Sequence, residues 1–155
     1  MYTKIMVAID ASDTSERAFS EAVGLARVMG ARLHLVYVAN CAPVIAMGVT
    51  AVLPDEFEGI RAEGKALLAG TQEKGVAAGV DCETELSELL DSTDDIAGRL
   101  LSCASQCGAE LAVLGTHGRT GLSRALLGSV AENFVRRSHL PVLLVPAQVL
   151  PEPIA

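Results

Sequence analysis

Apolar positions in this chain follow two alternating periods. Lys4–Asp10, KIMVAID, is an apolar run rich in β-branched residues and predicts a buried strand. Ser12 or Asp13 then caps a helix, with Glu16 three residues after Asp13 completing a capping box. Ala18, Ala22, Leu25, Ala26 and Met29 share one face of that helix, and Gly30 ends it. Ala31–Ala39 predicts a second strand, and a charge-free loop runs from Asn40 to Leu53. Pro54 opens a long helix to about Ala78. Phe57, Ile60, Leu67 and Leu68 keep helical spacing there, although Gly64, Gly70 and Gly75 each weaken it by up to about 1 kcal/mol.

Val80–Ser87 alternates apolar with acidic residues, as an edge strand with one wet face does. Ser92 or Thr93 caps a helix over Asp94–Gln106, stopped by Gly108. Glu110–Gly115 is almost wholly apolar and predicts a strand covered on both faces. A glycine-rich segment, Gly115–Gly128, leads into a helix from Ser129 to about Ser138, and Pro141–Val145 is the last strand. Strand and helix alternating throughout predict a parallel sheet with helices on both faces. Such sheets bind ligands at the carboxyl ends of their strands. Attention therefore falls on Asp10, Val38 and Gly115.

Composition narrows the classes. With 155 residues the chain suits a single domain, expected over 1–146, with a loose tail at 147–155. The core must be aliphatic, since Tyr2, Phe19, Tyr37, Phe57 and Phe134 are the only aromatic residues. A net charge of −7 argues against a nucleic-acid-binding body. The uncharged stretch Val38–Pro54 carries Asn40, Pro43, Gly48 and Thr50, which do not suit a clean bilayer-spanning helix. Asp10, Asp13 and Glu16 argue against a signal peptide. Cys41, Cys82, Cys103 and Cys107 match no zinc spacing and read as reduced, buried thiols of a cytoplasmic protein.

The glycine segment carries the chemistry. It leaves a buried strand, runs Gly115-Thr-His-Gly118-Arg119 to Gly128-Ser129, and enters a helix N-terminus. Glycines allow close backbone approach, the helix start offers N–H groups, and Arg119 and Arg124 add positive charge. Together these suit an anion, most naturally phosphate. No G-x4-G-K-[ST] is present, and the first strand-to-helix turn contains no glycine, so neither a P-loop nor a dinucleotide fingerprint is met. The plainer reading gives the glycines to turns and leaves Ser129 and Glu132 as a capping box.

The spacing G-x2-G-x9-G-[ST] over Gly115–Ser129 resembles the nucleotide-binding pattern of the universal stress protein family. The opening Ile5–Ser12 and the ending Gly128 to Val145 resemble that family too. The likeness is specific at both ends and loose over 40–105, where Ser87–Thr93 departs from the family's short turn. It implies an α/β, Rossmann-like, single-domain three-layer fold with a five-stranded parallel sheet in the order 3-2-1-4-5. The complete glycine pattern resembles the ATP-binding branch, with ATP as ligand and a magnesium ion as the metal ATP would bring. On that likeness Asp10 faces the ribose, with Ala8 and Ala11 beside it, and Val38 pairs its backbone with the adenine edge. Gly115 and Gly118 wrap ribose and phosphates, Arg119 stands where a basic residue is usual, and Gly128, Ser129 and Val130 hold the phosphate tail. The likeness also implies a homodimer formed through the last strand. The expected role is a nucleotide-dependent regulatory or stress-response module. The alternatives are a slow ATP-hydrolysing enzyme, for which His117 is the candidate base, and a nucleotide-free dimeric scaffold.

Other polar residues read as structure. His34 lies on a strand facing the core or a helix, and His139, Arg136 and Arg137 suit the negative end of a helix. Asp91, Asp94 and Asp95 fit a first helical turn better than a metal site. Cys103 and Cys107 share a helix face in the core.

Overall fold

The computed structural model describes residues 1–41, 54–90, 93–117 and 127–147, the side chains of 54–56 excepted. Five strands alternate with four helices among these residues: β1 (Lys4–Ala8), α1 (Asp13–Met29), β2 (Arg32–Asn40), α2 (Pro54–Ala77), β3 (Cys82–Leu89), α3 (Ile96–Cys107), β4 (Leu111–Gly115), α4 (Ser129–Arg137) and β5 (Val142–Val145). The sheet order is β3-β2-β1-β4-β5, and every pairing is parallel. This is the α/β arrangement expected.

Strand period 2 divides the core into two layers. Ile5, Val7, Leu33, Leu35, Leu111 and Val113 pack on one face with Ala18, Ala22 and Ala26 of α1 and Leu68 of α2. Met6, Val36, Ala112 and Leu114 pack on the other with Leu100 and Cys103 of α3 and Phe134 of α4. Phe134 has no exposed surface, and burying such a side chain is worth roughly 1.5–3 kcal/mol.

Ser12, one of the two caps read from the sequence, caps α1 by accepting from Ser15 N–H, while Glu16 pairs with Lys74 at 2.8 Å in place of a box with Asp13. Two other helix starts differ from the sequence reading. Asp95, rather than Ser92 or Thr93, caps α3 and accepts from Gly98 N–H at 2.6 Å. Gly128 is the N-cap of α4, so Ser129 is already helical and forms no capping box with Glu132, which reaches forward to Arg136 instead. Gly30 and Gly108 end α1 and α3 in the left-handed conformation, as expected. The edge strand β3 begins at Cys82 and runs to Leu89, two residues later at each end than its pattern suggested. The loop readings over 42–53 and at Asp91 and Ser92, and all of the tail beyond Ala147, lie outside the described residues.

Two of the glycines thought to weaken α2 are where α2 meets the sheet. A methyl group on Gly64 would lie 2.5 Å from the Tyr37 ring, and one on Gly75 would run into Cys82 Sγ. Gly70 has nothing within 4 Å. His34, 8% exposed, bonds Glu85 across the β2–β3 pair at 2.7 Å. Burial pushes the Glu85 carboxyl up, but bonds from His34 and Cys103 and the charges of His34 and Arg99 hold it below its ordinary value.

Candidate functional site

A cavity of about 510 Å³ opens at the carboxyl ends of β1, β2 and β4. Its size falls within the range of small-molecule sites. Ala8, Ile9 and Asp10 form one wall as the chain leaves β1, and Val36, Tyr37, Val38 and Asn40 follow β2 outward. Leu114, Gly115, Thr116 and His117 come from the end of β4, and Gly128 to Ala131 from the start of α4. Ile60 and Glu63 of α2 close one end, and Ile96 and Leu100 of α3 cover one side. The sheet reverses its winding between β1 and β4, and that reversal opens the crevice.

Local hydrogen bonds fix the turn after β1. Asp10 N–H donates to Ser15 Oγ at 3.1 Å, and Ser15 Oγ donates to the Ala8 carbonyl at 3.3 Å. Asp10 Oδ1 accepts from Ser12 N–H at 2.9 Å and from Ser12 Oγ at 2.5 Å. The carboxylate is thereby set at the cavity wall with its orientation fixed by the helix cap. Ala11 carries the turn in the left-handed region, φ +64°, which an alanine rarely adopts.

The glycine segment is anchored at both described ends. Gly115 packs on Thr14, whose hydroxyl donates to the His117 carbonyl. Gly128 N–H donates to the Thr116 carbonyl at 2.8 Å, and a methyl group on Gly128 would lie 2.9 Å from that oxygen. The Gly128 N–H is thus spent within the protein. The N–H groups of Ser129, Val130 and Ala131, in the first turn, have no carbonyl of their own helix, and these three residues line the cavity. The positive end of the α4 dipole therefore meets the crevice. Among the described residues the lining contains the carboxylates Asp10 and Glu63 and no lysine or arginine.

Of the residues singled out from the sequence, Ala8, Asp10, Val38, Gly115, Gly128, Ser129 and Val130 meet around this cavity. Ala11 borders a separate cavity of about 160 Å³, between α1 and α2, with Phe19, Leu67 and Lys74. Gly118 and Arg119 lie outside the described residues. Sequence reasoning missed Tyr37, Asn40, Ile60, Glu63, Ile96 and Leu100 as lining. Asn40 carried a signal, being a polar residue at the end of an apolar strand. The helical residues carried none, since their spacing reads as core.

The family model described as the universal stress protein family matches residues 1–146. Universal stress protein YxiE of Bacillus subtilis is 33% identical over 152 residues, covering 94% of this chain and 99% of that one. Universal stress protein MJ0531 of Methanocaldococcus jannaschii is 32% identical over 145 residues, covering 94% and 82%. A solved universal stress protein family structure from Burkholderia pseudomallei is similar at 33% identity and a TM-score of 0.72, covering 94% of this chain and 97% of that one. A universal stress protein in complex with cAMP is similar at 28% identity and a TM-score of 0.68, covering 93% and 97%.

Proposed function

The chain belongs to the universal stress protein family, and on that premise we propose that it binds ATP in the cavity at the carboxyl ends of β1, β2 and β4. The observation that carries this reading is the pairing of two unlike ends in one crevice. Asp10 offers a fixed carboxylate at one wall, and the start of α4 offers backbone N–H groups at another. A carboxylate suits the hydroxyls of a ribose, and a helix N-terminus suits phosphates. The apolar stretch between them, with Val36, Val38, Ile96 and Leu100, suits a flat base. The relative in complex with cAMP supports an adenine nucleotide as the ligand class.

In this reading the Val38 backbone meets the base, Asp10 the ribose, and Ser129 and Val130 the phosphates. Gly118 and Arg119 complete the phosphate side, where Arg119 supplies the cation that the described lining lacks. ATP brings its own magnesium ion. The protein acts as a nucleotide-dependent regulatory module of the stress response, in the cytoplasm, as a homodimer joined through β5. Val142, Leu143 and Leu144 are half-buried on that edge strand, and an apolar edge is a surface that pairing with a second copy would cover.

Thermal unfolding with and without ATP and magnesium tests the reading. Ligand at roughly 100 times its Kd adds about 2.7 kcal/mol, a rise in Tm of roughly 5–10 °C for a domain of this size. A rise with ATP and not with GTP is the expected result. In Ser129→Asp the rise is lost while the unliganded Tm holds, because an acid in the first turn suits the helix and repels phosphate. Protein freed of carried-over nucleotide that shows no rise with either would overturn the proposal.

A further inference from the structure

Three oxygen contacts at the start of α1 share two hydroxyl protons. Ser12 Oγ lies 2.5 Å from Asp10 Oδ1 and 3.2 Å from Thr14 Oγ1, and Thr14 Oγ1 also meets the carbonyl oxygen of His117. A carboxylate and a carbonyl only accept, so Ser12 donates to Asp10 and Thr14 donates to His117. No proton remains for the Ser12–Thr14 contact, and the two hydroxyl oxygens face one another as acceptors. Ser12 Oγ accepts from Ser15 N–H at 3.2 Å as well. Thr14 is only 5% exposed, so solvent has little access to repair the mismatch.

The row of oxygens joins two parts of the cavity wall. Asp10 and Ser12 line it after β1, and His117 lines it at the start of the glycine segment. Thr14 stands behind that wall and packs on Gly115.

Resting on the nucleotide reading above, we propose that Ser12 and Thr14 couple the sugar end of the cavity to its phosphate end. A ribose diol donates two O–H groups and can engage both oxygens of the Asp10 carboxylate. Its O–H at Oδ1 replaces that of Ser12, and the Ser12 hydroxyl turns to Thr14. Thr14 then accepts from Ser12 while donating to the His117 carbonyl, and a hydroxyl that accepts is a stronger donor. The His117 carbonyl, at the start of the glycine segment, is then held more firmly. Every proton stays on its own oxygen, and only hydrogen bonds exchange. By linkage, bound phosphate strengthens the grip on the diol by the same factor.

Isothermal titration of adenosine and ATP, each in its ribose and 2′,3′-dideoxyribose form, tests the coupling. The phosphate gain is the ratio of the adenosine Kd to the ATP Kd. In the wild type that gain is about fivefold larger for the ribose pair, at the low end of couplings between sites. In Thr14→Val, which keeps the shape and loses the hydroxyl, the two sugars give equal gains, and Thr14→Ser restores the difference. Ser12→Ala also equalises the gains and serves if Thr14→Val fails to fold. Equal gains in the wild type, or a difference that survives in these variants, overturn the coupling and leave the cavity reading standing. A wild type that binds neither adenosine nor ATP overturns that reading and the coupling with it.

Discussion

Gly115 lies directly on Thr14: a methyl group at position 115 would fall 2.6 Å from the Thr14 hydroxyl oxygen and 2.8 Å from its carbonyl carbon. The second of these neighbours is backbone at the start of α1 and cannot swing aside. Gly115→Ala must therefore part the end of β4 from α1. The expected result is a loss of about 1–3 kcal/mol in chemical denaturation, the usual cost of overpacking. On the proposed nucleotide reading, ATP affinity falls at least about tenfold, or 1.4 kcal/mol, because the same shift displaces Thr116 and His117 at the cavity. A variant with unchanged stability and binding would refute the tight contact.

Glycines on one helix predict opposite outcomes. Gly70→Ala adds helix propensity with nothing within 4 Å and should stabilise by up to about 1 kcal/mol. Gly64→Ala adds the same propensity but sets a methyl group 2.5 Å from Tyr37 and 2.6 Å from Leu86. It should destabilise by about 1–3 kcal/mol. Melting curves of the two variants should shift in opposite directions.

Acid should weaken the α3–α4 junction. Asp95 accepts from Gly98 N–H at 2.6 Å and pairs with Arg137 at 2.8 Å. The Gly98 bond, with help from Arg137 and against burial, holds its carboxyl below the ordinary 3.8. A depressed folded-state value lends stability that is complete above the unfolded value and lost as pH falls through the folded one. Asp95→Ala should cost about 1 kcal/mol at neutral pH, as a lost helix cap does. Urea midpoints of the variant and wild type should converge as pH falls below the ordinary 3.8. A gap that stays constant as pH falls would rule out the carboxylate as its cause.

The thiols should be slow. Cys41, Cys82 and Cys103 are buried and Cys107 is half-buried. Burial pushes all four up, Cys103 to about 11. The thiolate is the reacting form, so alkylation at pH 8 should mark Cys107 first and the others only as the protein unfolds. Rapid labelling of Cys103, read by mass spectrometry, would contradict this.

How much of this was legible in the sequence depended on how local the cause was. The sequence by itself determined the elements and the sheet class, because side-chain period and terminal glycines act within a few residues. It also marked Asp10, Val38, Gly115 and Ser129, since ends of buried strands and a helix start are readable from runs and turns. Tertiary structure decided the rest. Asp95 caps α3 in place of Ser92 or Thr93, and there it also meets Arg137 of α4. Ile60, Glu63, Ile96 and Leu100 line the cavity only because α2 and α3 pack beside it. Gly64 and Gly75 look like defects of a helix until Tyr37 and Cys82 occupy the space their side chains would need. Helical spacing states which residues share a face. What that face meets is set by close packing between segments far apart in the chain, and a single sequence carries no record of that distance.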